Sequence, residues 1–194
     1  MNILAHSYLS FGDSDLMIGN FIADQVKGSD LSKFPEGIQK GILLHRAIDD
    51  FTDSHPLYKQ SCRRIFSHQG HYARVVIDIV YDHFLAKNWK QYSSSDLETY
   101  SQTFYDLLES NKELLPKTSQ YALHYMAKNN WLVMYQSLSG IDRIFKGMHS
   151  RANYGSSMDT ASELIELYTD EFQNEFSHFF EEITIFSKSK INEL

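Results

Sequence analysis

Proline occurs three times in 194 residues, and each time it stands where a helix can begin. Phe34-Pro35-Glu36, His55-Pro56-Leu57 and Leu115-Pro116-Lys117 each lead into a stretch of helical period. Proline at the first helical position gives up no useful hydrogen bond. With nine glycines and little alternating apolar pattern, the chain offers long uninterrupted runs for helices and few for strands. The pattern predicts helices over 2–10, 14–27, 35–54, 56–67, 70–91, 95–113, 117–128, 130–137, 140–151 and 158–187. Val75, Val76, Ile79, Val80, His83 and Phe84 have the spacing of a buried helical face, as do Leu164, Leu167, Tyr168, Phe172, Phe176, Phe179 and Phe180. Asp13 or Ser14 is placed to cap the second helix, and Ser93 to Ser95 the sixth. Gly28–Phe34 and Asn153–Ser157 read as turns. The expected architecture is all-α, one compact multi-helix domain over residues 1–194.

Composition narrows the function. A 42% hydrophobic and 14% aromatic chain can fill a core and is not disordered. A net charge of −7 argues against general nucleic-acid binding, which needs a basic excess. Taken as a sum, it favours a neutral or basic partner. The lone cysteine, Cys62, forms no internal disulfide and suits a reducing compartment. No apolar run approaches the ~18 residues of a membrane span, and the first residues lack a basic region of the secretory kind. The cytoplasm is the expected location, without a membrane partner.

Certain polar residues stand where a core would want apolar ones. His45, Asp49 and Asp53 step by four along one helix, and Asp78 and Asp82 step by four along another, with His83 beside them. Asp24 follows Phe21-Ile22-Ala23, and His6 follows Ile3-Leu4-Ala5. Acids interleaved with aliphatic surface are costly to bury unpaired and need Arg or a metal. Imidazoles and carboxylates from several helices, without thiolates, are the ligand set of Mn, Fe or Mg rather than of structural zinc. A single His/Asp pair at this spacing is more often a salt-bridged surface feature. Spacing alone leaves the metal site and the salt-bridged bundle both open. His55, His68, His71, His124, His149 and His178 have no convergent acids near them in sequence and read as structural or surface residues.

The ordered set of blocks resembles a known family. Met1-Asn2-Ile3-Leu4-Ala5-His6, Gly19-Asn20-Phe21-Ile22-Ala23-Asp24-Gln25-Val26-Lys27-Gly28, Gly41-Ile42-Leu43-Leu44-His45-Arg46-Ala47-Ile48-Asp49 with Thr52-Asp53, Tyr81-Asp82-His83-Phe84-Leu85 with Trp89, and Gly147-Met148 with Arg151 are similar to the acyl carrier protein phosphodiesterases, or ACP hydrolases. The resemblance implies an all-helical fold, distantly similar to HD-type metal phosphohydrolases. It implies hydrolysis of holo-acyl carrier protein to apo-protein and 4′-phosphopantetheine with a divalent cation, typically Mn²⁺, with Mg²⁺ or Fe²⁺ as alternatives. By motif position Asp24 is the family's essential carboxylate, and His6, His45, Asp49, Asp82 and His83 fall on its other polar positions. The chain departs from the family at Arg46-Ala47 and Arg151-Ala152, where paired arginines are usual, and at Ile3 and Ser7.

On the chemistry of the donors, His6, Asp24, His45, Asp49 and Asp82 are the expected metal ligands. Arg46 would clamp a phosphate oxygen, and His83 would be a ligand or the acid for the serine oxygen. Asp53 and Asp78 would support the ligands or pair helices. Two rival readings are an HD-like hydrolase of a nucleotide or other small phosphoester, and a helical module that binds the carrier protein without cutting it. An acidic carrier protein fits poorly with a charge of −7, but eight acids and no Lys or Arg lie between Ala152 and Ser187, so the rest of the chain sums to +1. Lys59, Arg63, Arg64 and Arg74 belong to a segment, 54–92, with six basic residues against two acids. That segment is the expected docking face for the carrier protein.

Overall fold

The computed structural model describes residues 1–152 and 155–194. Asn153 and Tyr154, the start of the second expected turn, lie outside the described residues. Eleven α-helices and no strand occur among the described residues, as the proline and glycine pattern predicts. No helix among them is long and apolar enough to cross a membrane.

The helices are α1 (Ile3–Tyr8), α2 (Ser14–Ile22), α3 (Glu36–Ser54), α4 (Pro56–Gln69), α5 (Ala73–Lys87), α6 (Leu97–Ser110), α7 (Lys117–Asn129), α8 (Trp131–Met134), α9 (Leu138–His149), α10 (Ala161–Leu167) and α11 (Thr169–Glu193). Asp13 caps α2 through the amide of Leu16. The sixth helix is capped by Asp96, whose carboxylate accepts from the Thr99 amide, rather than by Ser93 to Ser95. Two predicted long helices are broken. The expected 14–27 helix ends at Ile22 in a 3-10 turn, Ala23–Gln25, and Gly28 follows with a positive φ that only glycine takes freely. The expected 158–187 helix divides at Tyr168. There the Tyr168 backbone, at φ −116° and ψ 28°, leaves helical values. The break turns Leu167 outward, 66% exposed, although its spacing predicts burial. Val75 is half-buried; the rest of the α5 face is buried.

Three contacts position the site. First, α2 and α3 meet backbone to backbone. A methyl group on Gly41 would stand 2.6 Å from the Leu16 carbonyl oxygen and 2.8 Å from Gly19 Cα, so both positions are held to glycine by the closeness of the helices. Second, α11 presents Phe172, Phe176, Phe179, Phe180 and Ile183 to the core, all nearly inaccessible. Its buried Glu175 is gripped by Arg64 of α4 through two bonds of 2.6 and 2.7 Å. Third, the first turn of α1 rests on a carboxylate from α5. Asp82, fully buried, accepts from the amides of Leu4 at 2.8 Å and Ala5 at 3.3 Å. These are amides that the helix itself leaves without partners, and an anion there also suits the positive end of the helix.

Asp82→Ala leaves two buried N–H groups without acceptors. The expected loss of stability in urea unfolding is about 2–6 kcal/mol, at roughly 1–3 kcal/mol for each stranded donor. A loss below about 0.5 kcal/mol, the range of neutral surface substitutions, would remove Asp82 from this anchoring role.

Candidate metal centre

The backbone contact between α2 and α3 brings His45 and Asp49, one turn apart on α3, beside the 3-10 turn that carries Asp24. The short α1, anchored by Asp82, delivers His6 from the other side. The His6 and His45 rings stack with centroids 4.1 Å apart and 21° between planes. Asp49 is shared between them, with Oδ1 at 3.2 Å from His6 Nε2 and Oδ2 at 3.1 Å from His45 Nε2. Asp24 Oδ1 lies 3.2 Å from the same His45 nitrogen and is hydrogen-bonded to it. Both histidines are buried, and Asp24, whose side chain is 76% exposed, forms the rim.

This group lines a cavity of about 290 Å³. The cavity is also lined by Met1, Tyr58 and Asp78, where the Met1 ammonium donates to Asp78 Oδ1 at 2.9 Å and the Tyr58 hydroxyl donates to the same oxygen at 3.0 Å. Arg74 lies at the cavity edge and donates to Asp53 Oδ2 at 2.7 Å. Among the described residues it is the one Lys or Arg side chain on the cavity wall.

The electrostatics are those of a site short of positive charge. Burial disfavours the His45 imidazolium, but Asp24 and Asp49 outweigh it and push the value up to about 9. Burial would raise Asp49, yet the two histidines hold it well below the usual carboxylate range. The His45 hydrogen bond lowers Asp24. His6 is lowered, by burial first and by the neighbouring His45 next. One imidazole thus takes the charge and the other stays neutral.

A divalent ion fits this arrangement. One donor atom from each of His6, His45 and Asp49 lies within 4.8 Å of the others. His6 Nε2 is buried and has no hydrogen-bond partner, in spite of the Asp49 oxygen at 3.2 Å. The two groups are close but not aimed at each other, as donors converging on a common point are. Nitrogen and oxygen donors without sulfur suit Mn, Fe or Mg. Binding at His45 would displace its proton, so affinity would fall as pH drops.

The residues expected from the sequence divide accordingly. His6, Asp24, His45 and Asp49 are brought together. Asp82 and His83 do not line the cavity. Asp82 is engaged with the α1 amides, and burial pushes it up to about 7 against their pull. His83 Nδ1 lies 2.7 Å from the Tyr135 carbonyl oxygen in the core. Arg46 donates to the carbonyls of Val26 at 3.1 Å and Gly28 at 2.8 Å, outside the cavity. Asp53 and Asp78 do face it. Of the expected docking residues, Lys59 and Arg63 are exposed, while Arg64 and Arg74 are engaged with Glu175 and Asp53. None of His55, His68, His71, His124, His149 and His178 lies on the cavity wall. The sequence reading gave no role to Met1, Tyr58 or Asn20. Only Asn20 carried a signal, as an amide within the largely apolar stretch 16–22 of α2.

Comparison with known proteins places the chain in a family. The family model described as acyl carrier protein phosphodiesterase matches residues 1–183. Among curated proteins bearing that name, one from Photorhabdus laumondii is 31% identical over 93% of this chain and 91% of its own length. One from Serratia proteamaculans is 29% identical over 98% and 99%, and one from Escherichia coli is 28% identical over 93% and 94%. No solved structure matches significantly. With the match spanning residues 1–183, from before α1 to well into α11, the chain belongs to the acyl carrier protein phosphodiesterase family.

Proposed function

We propose that the chain hydrolyses the phosphodiester joining 4′-phosphopantetheine to the serine of holo-acyl carrier protein, with a divalent cation, Mn²⁺ by preference, held by His6, His45 and Asp49 beside Asp24. The observation that carries this reading is the convergence of two stacked imidazoles on one shared carboxylate, in a chain matched by the family over residues 1–183. When bound, such an ion polarises a phosphoryl oxygen and lowers the pKa of water. The chain's own residues do the rest. Asp49 places a carboxylate oxygen within 3.2 Å of each imidazole. Asp24, exposed at the rim and braced by His45, faces the incoming phosphodiester. Arg74 is the side chain we assign to the phosphate. Asp53 holds one of its nitrogens, and the fork leaves others to grip an anionic oxygen. This assignment moves the clamp from Arg46, whose guanidinium ties the 26–28 segment to α3. Asp82 and His83 are left out of the reacting group. The carrier protein would approach over Lys59 and Arg63. The lone thiol of Cys62 suits a reducing compartment, and we place the activity in the cytoplasm.

Incubation with holo-acyl carrier protein and Mn²⁺ should remove one phosphopantetheine mass, read by mass spectrometry, and EDTA should block the loss. Cleavage of small phosphodiesters with the carrier protein left intact would favour the small-substrate hydrolase instead. Asp24→Ala should abolish turnover while circular dichroism stays helical; near-normal activity in that variant would sink the assignment. Charge reversal at Lys59 and Arg63 should raise KM for the carrier protein, more so at low salt, and spare cleavage of a small phosphodiester. An unchanged KM would take this face out of the docking.

A further inference from the structure

An imidazole ligates a cation through whichever ring nitrogen carries no proton. In His6 the choice is contested. Asp49 Oδ1, 3.2 Å from Nε2, would favour a proton on that nitrogen. On the other side, Nδ1 lies 2.9 Å from Asn20 Oδ1. Which of the two prevails depends on the orientation of the Asn20 amide, and a second hydrogen bond settles that.

Ser10 Oγ stands 3.1 Å from the carbonyl oxygen of His6. A carbonyl only accepts, so the single hydroxyl proton of Ser10 is committed there. The same Ser10 oxygen lies 2.9 Å from Asn20 Nδ2, and it accepts from that amide nitrogen. With Nδ2 turned to Ser10, Oδ1 is turned to His6 and accepts from Nδ1–H. The ring proton therefore sits on Nδ1, and Nε2 is bare toward the cavity. The opposite polarity would draw the Ser10 proton to Asn20 and take that partner from the His6 carbonyl. Ser10 is inaccessible and Asn20 is 2% exposed, so water does not replace either partner cheaply.

We propose that Asn20 is a positioning residue: oriented by Ser10, it holds the His6 proton on Nδ1 and presents Nε2 as a bare donor to a divalent cation. The proposal rests on the metal reading above. It is separable from it, because the tautomer is a property of the metal-free chain.

The test is long-range ¹H–¹⁵N NMR of the histidine rings in ¹⁵N-labelled, metal-free protein, paired with titration of Mn²⁺ alone. The wild type should show His6 as the Nδ1–H form. Asn20→Ala should release the proton to Nε2, facing Asp49, and weaken Mn²⁺ binding by about 10–100-fold, the usual cost of losing such a supporting group. Asn20→Asp still accepts from Nδ1, and should keep both the tautomer and most of the affinity. Ser10→Ala removes only a hydroxyl and unlocks the amide, so mixed tautomers are expected even if Asn20→Ala does not fold. An Nε2–H form in the wild type would overturn the proposal, as would Ser10→Ala and Asn20→Ala chains that keep the Nδ1–H form. A wild type that shows the Nδ1–H form and binds no Mn²⁺ would overturn the metal reading instead.

Discussion

The whole site depends on two glycines that let α2 and α3 touch. Helices normally stand 8–10 Å apart, kept there by their side chains. Gly19 and Gly41 remove that spacer, and the contact is close enough that an added methyl group on Gly41 would press on the Leu16 carbonyl. Asn20 follows the first glycine by one residue, Asp24 by five; His45 follows the second by four and Asp49 by eight. Two pairs of groups, one pair on each segment and far from the other in sequence, become neighbours because the two backbones meet upstream of both.

The remaining supports are polar and buried, which is unusual for a helical core this aromatic. Asp82 seats α1, and Glu175 with Arg64 locks α11 to α4. Removing one partner from such an arrangement strands the other in low dielectric. The Arg64–Glu175 pair also alters the charge pattern, since one of the eight acids near the end of the chain is cancelled inside the molecule by one of the bases assigned to the docking face.

Much of this was legible in the sequence, for identifiable reasons. Helical class followed from where the prolines fall, and Pro56 does open α4. His6, Asp24, His45 and Asp49 stood out because each is a polar residue against an apolar run, and the structure brings these four together. Asp82 and His83 carried the same signal and went elsewhere. A buried carboxylate or imidazole can be satisfied by amides and carbonyls as well as by a metal, and sequence does not show which backbone lies opposite. The division of the last helix was hidden because the apolar period continues on both sides of Tyr168, where the backbone leaves the helix. Asn20 was visible in its block, but its role depends on Ser10, ten residues away on a different segment.

Arg46 shows how such a site can mislead an enzymologist. Its guanidinium tethers the carbonyls of Val26 and Gly28, just past the turn that carries Asp24, to the same helix that carries His45. Losing that tether would let the rim carboxylate drift away from its imidazole partner. Activity would fall as though a grip on phosphate had been lost, although the arginine stands outside the cavity. In this fold, a residue can be indispensable to turnover by holding the loop on which a reacting group rides.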